Sequence, residues 1–116
     1  MTPIEINDRL MELLNELGQQ NEEYTQQYIL YINAVNKYKL EYAKAYLQNK
    51  ADMGKATVNE IDAATTIQVA DIKLDADIQE ALLKAQREKL EALKIEIDTL
   101  RSVLSFQKSE LDRTMN

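Results

Sequence analysis

An all-α fold, a long antiparallel two-helix coiled-coil hairpin, follows from three features of the 116-residue sequence. Chain breakers are scarce, with two glycines and one proline, so the chain has few turns and few, long elements. Two helix-start signatures stand at Thr2 and Thr57. Apolar residues recur in ladders with alternating spacings of four and three, the period of about 3.5 residues that supercoiled helices require. Ala, Leu, Glu, Gln and Lys, all good helix formers, dominate the composition. A single domain is expected over residues 1–116.

The first helix is predicted over about residues 3–52. Thr2-Pro3-Ile4-Glu5 places a hydroxyl cap before a proline at the first helical position, with Glu three residues after the cap. The expected seam runs Leu10, Leu14, Leu17, Asn21, Tyr24, Tyr28, Tyr31, Val35, Tyr38, Tyr42, Ala45, Asn49. Gly18 interrupts a helix interior at a cost of about 1 kcal/mol relative to Ala, and a kink or a separate short first helix is expected there.

A turn is predicted at about 53–57. Gly54 suits the left-handed conformation that ends helices, and Lys50 and Lys55 complement the negative end of the helix dipole. The second helix, about 58–112, opens on the capping box Thr57-Val58-Asn59-Glu60. Its seam reads Thr65, Val69, Ile72, Ala76, Gln79, Leu83, Gln86, Leu90, Leu93, Ile97, Leu100, Leu104, Gln107, Leu111. A short turn makes the two helices antiparallel neighbours. Leu10 then meets Ile97 or Leu100, and Tyr24 meets Leu83 or Gln86. Polar seam residues cost stability but set register.

A second stripe, Ala63, Ile67, Ala70, Leu74, Ile78, Ala81 and Ala85, is expected beside the first and widens the apolar surface of helix 2. Helix 1 adds Leu13, Ile29, Ile32, Ala43 and Tyr46 beside its own ladder. One partner helix cannot cover both, and each large apolar side chain left wet forfeits about 1.5–3 kcal/mol. Dimerisation into a four-helix bundle through that stripe is the expected solution. The alternative is a third helix folded back at Gly18.

Chemistry is narrowed by what is missing. With no histidine and no cysteine, the usual zinc sites, Ser-His-Asp and Cys-His systems and disulfides are excluded. No phosphate-cradling glycine loop occurs. Asp71, Asp75 and Asp77 are the densest acids, read as a solvated helix face in preference to a Mg or Ca site. No cofactor and no enzymatic activity are expected.

The net charge of −6 is uneven. Residues 1–36 hold one base against six acids, 37–55 five against two, 56–83 one against six, and 84–116 seven against six. This balance opposes general attraction to nucleic acid or anionic membranes. The six tyrosines all fall between residues 24 and 46, where their rings suit a wide seam and their hydroxyls need partners such as Gln79 or Gln86. A possible partner surface comprises Tyr31, Tyr38, Tyr42 and Tyr46 with Lys37 and Lys44, whose alternative use is stacking on unpaired bases. No signal peptide or membrane span is expected, and the protein is read as soluble.

Lys44-Ala45-Tyr46-Leu47, Gly54-Lys55-Ala56-Thr57-Val58-Asn59-Glu60, and Leu100-Arg101-Ser102-Val103-Leu104-Ser105-Phe106 followed by Glu110-Leu111 resemble short helical early-region proteins of phages and prophages of Gram-positive bacteria. The resemblance covers roughly residues 24–112. It implies a viral origin, the host bacterial cytoplasm, and a setting among recombination and replication proteins, and it transfers no catalytic or binding residues. The expected role is a non-enzymatic accessory factor that associates with itself and with an unidentified phage or host protein. Alternatives are inhibition of a host nuclease or defence enzyme by acidic mimicry, weak single-stranded nucleic-acid binding through the Tyr/Lys region, and a virion scaffold.

Overall fold

The computed structural model describes residues 1–115 and is all-helical. Among the described residues there are three α-helices, α1 (Pro3–Asp52), α2 (Val58–Gln68) and α3 (Ala70–Met115), and no strand. The helices contribute to two compact units, one of Met1–Thr25 with Ala85–Asn116 and one of Gln26–Lys84.

Both capping threonines act as expected on the backbone. The Thr2 hydroxyl accepts from the Glu5 amide and the Thr57 hydroxyl from the Glu60 amide, each at 3.2 Å. Each glutamate carboxylate in turn accepts from the threonine hydroxyl, at 3.2 Å and 3.1 Å, rather than from the backbone of the cap. Helix α1 stops where Gly54 takes φ +57°, and the Met53 amide donates to the Asn49 carbonyl at 2.8 Å across that end.

Two expectations about continuity are corrected. Gly18 does not separate a short helix, since α1 runs unbroken through it. The return segment, expected as one helix over 58–112, is interrupted at Val69, whose φ −104° and ψ 14° leave the helical region, and α3 extends to Met115. The cause is local. Thr65, Thr66, Ile67 and Val69 are β-branched and stiff, and the fully buried Thr65 donates its hydroxyl to the Ile61 carbonyl at 2.7 Å. Hydroxyl back-bonding of this kind loosens and bends helices.

In the first unit, Ile6, Leu10 and Leu13 of α1 form one buried cluster with Leu93 and Ile97 of α3, with Leu17, Leu100 and Leu104 packed against it. The pairing is antiparallel: Gln107 donates to the Met1 carbonyl at 3.0 Å, Arg9 to Glu96 at 3.2 Å, and Gln86 to the Gln20 side chain. In the second unit the chain reverses at 53–57, and α2 and the start of α3 lie antiparallel to α1. Asn49 donates to the Thr65 hydroxyl at 3.0 Å and Gln27 to the Gln79 side chain at 2.8 Å. Half of the buried apolar residues here are alanines, Ala34, Ala45 and Ala76, beside Ile61, Val69 and Leu83.

The α2–α3 seam lies where the spacing puts it, with Thr65, Val69, Ala76, Leu83, Leu90, Leu93 and Ile97 buried. Leu111 is the exception and is exposed, Glu110 being the half-buried residue of that turn. The α1 seam is half right. Leu10 and Ala45 are buried and Leu17, Tyr24, Tyr31 and Tyr38 half-buried, and Tyr42 and Asn49 keep their expected places, half-buried and bonded to Asp62 and Thr65. From Leu13 to Ala34, however, the other position of the repeat falls one residue earlier than expected. Leu13, Gln20, Gln27 and Ala34 face the partner helix, while Leu14, Asn21 and Tyr28 face water and Val35 is intermediate. Two adjacent leucines make positions 13 and 14 equal by hydropathy; the glutamine pairs across the seam decide between them.

Candidate functional site

The surfaces left open by the second unit are the candidate site. Ala63, Ile67, Ala70, Leu74, Ile78 and Ala81 are all exposed, as is Ala85 in the first unit. Their position differs from that expected. Each lies two residues from a seam residue, about 200° around the helix, so the stripe faces away from the α1 partner instead of lying beside the seam. Ile67 is 78% exposed.

Helix α1 repeats this on its own far side. Ile29, Ile32, Asn36, Leu40, Ala43 and Leu47 follow helical spacing, are exposed, and stand about 120° or more from Gln27, Ala34, Tyr38 and Ala45 of the seam. Leu47 is 66% exposed. Leu40 and Leu47 lie off the 3.5-residue ladder, so seam spacing does not pick them out; the i, i+3, i+4 series from Ile29 is the signal that does.

The charges beside the two stripes are opposite. Lys37 and Lys44 project on one side of the α1 stripe and Lys39 and Lys50 on the other, all exposed. Lys44 reaches Glu41 at 3.8 Å, whereas Lys37, Lys39 and Lys50 make no ion pair among the described residues. Around the α2–α3 stripe stand the exposed carboxylates of Glu60, Asp71, Asp75 and Asp77. Asp77 pairs with Lys73 at 3.1 Å, and that hydrogen bond raises the Lys73 pKa. Among the described residues there is no group of three or more potential metal-binding side chains.

The tyrosines are packed along one flank of the seam. Tyr38 and Tyr42 rings are 6.1 Å apart and tilted, Tyr42 and Tyr46 6.2 Å apart and stacked. Tyr31, Tyr38, Tyr42 and Tyr46 are all half-buried. The Tyr42 hydroxyl donates to Asp62, and the nearby Tyr24 side chain raises the Arg87 pKa. Gln79 and Gln86 do not serve the tyrosines as expected; they are taken by Gln27 and Gln20. Lys37 and Lys44 lie about 100° or more around α1 from these rings, so they and the tyrosines do not form one surface. Lys39 and Lys50 are on the tyrosine side.

In the first unit, Arg9 bridges Glu12 at 3.1 Å and Glu96 at 3.2 Å, and these hydrogen bonds raise its pKa. A hollow of about 360 Å³ is lined by Pro3, Phe106, Gln107, Glu110, Leu111 and Thr114. Gln107 Oε1 is buried beside it without a hydrogen-bond partner. No helix among the described residues is long and apolar enough to cross a membrane.

Fold and surface together define a class: an all-helical chain with a seam of period 3.5 in each unit and large apolar residues left open on outward faces. Compared with known proteins, the chain matches no family model, no curated protein and no solved structure.

Proposed function

We propose that this chain is a non-enzymatic interaction protein, an antiparallel coiled-coil hairpin that associates with itself and presents its assembled surface to another macromolecule. The observation that carries the reading is the exposure of Ile29, Leu40, Leu47, Ile67, Leu74 and Ile78 on outward helix faces. Apolar side chains at regular helical spacing, flanked by charge, are the pattern of a helix that packs on another. Association recovers about 1.5–3 kcal/mol for each large side chain fully covered.

The partner is a protein of phage recombination or replication, and the working compartment is the host cytoplasm. The resemblance of Lys44–Leu47, Gly54–Glu60 and Leu100–Phe106 to phage early-region proteins supports this. Sedimentation equilibrium tests the first half: the weight-average mass is expected to rise with concentration, and a constant monomer mass at every dilution refutes self-association. Binding of the purified chain to purified phage recombinase, single-strand-binding and replication proteins tests the second. Failure of all three classes to bind removes the accessory role.

A further inference from the structure

We infer that copies of this chain pack edge to edge in one orientation, the outer face of α1 in one copy against the outer face of α2 and α3 in the next. The inference rests on the self-association proposed above and names its geometry. A four-helix bundle around a shared core needs apolar surface continuous with the seam. Here most of the surplus apolar residues of the second unit lie on the far side of each helix, Leu30 and Leu82 being exposed off those faces, so the two main stripes point away from each other. Each can be covered only by a separate neighbour.

Charge selects which face meets which. The α1 stripe is edged by Lys37, Lys39 and Lys50, free of ion pairs among the described residues, and by Lys44, which reaches Glu41. The α2–α3 stripe is edged by Glu60, Asp71 and Asp75, Asp77 being neutralised by Lys73. Like faces brought together would oppose lysine to lysine or carboxylate to carboxylate, whereas unlike faces are complementary. Shape agrees: Ile29, Ile32, Leu40 and Leu47 supply bulk, and Ala63, Ala70 and Ala81 supply gaps between Ile67, Leu74 and Ile78.

Register agrees too. Inside one copy, Asn49 is level with Thr65 and Gln27 with Gln79. A neighbour displaced sideways without rotation therefore brings Asp71 and Asp75 level with Lys37, on the same side of the layer. Such an interface is heterologous and does not close on itself as a two-fold dimer does. It propagates as a row or closes as a ring.

Complementation of broken faces tests this. Leu40→Gln with Leu47→Gln removes one face, and Leu74→Gln with Ile78→Gln removes the other. Wild-type mass should grow past the dimer with concentration and fall at high salt, where the charges are screened. Each variant alone should associate about a hundredfold more weakly, and an equimolar mixture should form a one-to-one pair and nothing larger. Either variant assembling to wild-type size, or a helical mixture that fails to pair, overturns the edge-to-edge arrangement while leaving self-association intact. A wild-type chain that stays monomeric overturns both.

Should circular dichroism show either variant unfolded, charge exchange on exposed positions replaces it. Lys37→Glu with Lys44→Glu in one chain, and Asp71→Lys with Asp75→Lys in another, should each weaken assembly. Mixing should restore it, because both interfaces of the alternating row then regain opposite charges. No restoration on mixing overturns the inference.

Discussion

Gln20, Gln27, Gln79 and Gln86 show how single polar residues specify this seam. Gln27 donates to the Gln79 side chain at 2.8 Å and to its carbonyl at 3.2 Å, and Gln86 does the same to Gln20 with its backbone contact at 3.4 Å. The net worth of each bond is about 0.5–1.5 kcal/mol, but an orphaned buried amide costs about 1–3 kcal/mol. Gln86→Leu should therefore destabilise the chain by about 1–3 kcal/mol in urea unfolding. Adding Gln20→Leu should recover most of that loss, and a double variant no better than the single would show that the pair does not act as a unit. The glycines give an opposed pair of outcomes. A Cβ at Gly18 meets nothing within 4 Å, so Gly18→Ala should stabilise by about 0.5–1 kcal/mol. Gly54 sits at φ +57°, and Gly54→Ala should cost about 1–2 kcal/mol. Reading Gly18 as a flaw was correct about its propensity; the continuous helix shows that seam packing on either side overrides it.

At the scale of the element, the interruption at Val69 is the feature that periodicity did not disclose. The seam residues Thr65, Val69, Ile72 and Ala76 keep their phase across it, so the hydrophobic pattern carries no mark of the break. The mark lies in the β-branched run and in the Thr65 hydroxyl, which accepts from Asn49 at 3.0 Å while donating to Ile61 at 2.7 Å. Thr65→Val keeps the shape and removes both bonds. It should cost about 1–3 kcal/mol, since the Asn49 amide loses a partner in the seam, and should raise helicity at Gln68–Ala70. Circular dichroism with thermal unfolding measures the first, and backbone chemical shifts the second. Unchanged stability would show that Thr65 contributes only volume.

At the scale of the whole molecule, the two units differ in what they bury. The first unit holds a cluster of large aliphatic residues at Ile6, Leu10, Leu13, Leu93 and Ile97. In the second, three of the buried apolar residues are alanines, beside Ile61, Val69 and Leu83, and polar pairs join the helices. Local opening free energy follows buried apolar contact. Amides of Leu90–Ile97 should therefore exchange with solvent more slowly than those of Ala70–Gln79 in the dilute chain. Assembly should slow exchange in the second unit alone, because its outward stripes are the ones to be covered. Equal protection of the two segments under dilute conditions would contradict the packing argument, and protection on assembly confined to the first unit would move the interface there. The three groups whose pKa is raised, Arg9, Lys73 and Arg87, contribute stability that is complete below their ordinary pKa values. That stability is lost only as pH rises through the raised ones, so they leave neutral pH untouched.

The sequence by itself determined the helical class, the caps at Thr2 and Thr57, the turn at Gly54 and the α2–α3 seam from Thr65 to Leu104, because each is set by residues within a turn or two of one another. Tertiary structure alone decided whether Leu13 or Leu14 enters the seam, which glutamines pair, and that the surplus apolar stripes face away from the partner helix. Those choices turn on rotations of 100° or 200° about a helix axis. Hydropathy along a single helix leaves them nearly equal, and only contact with the second helix separates them.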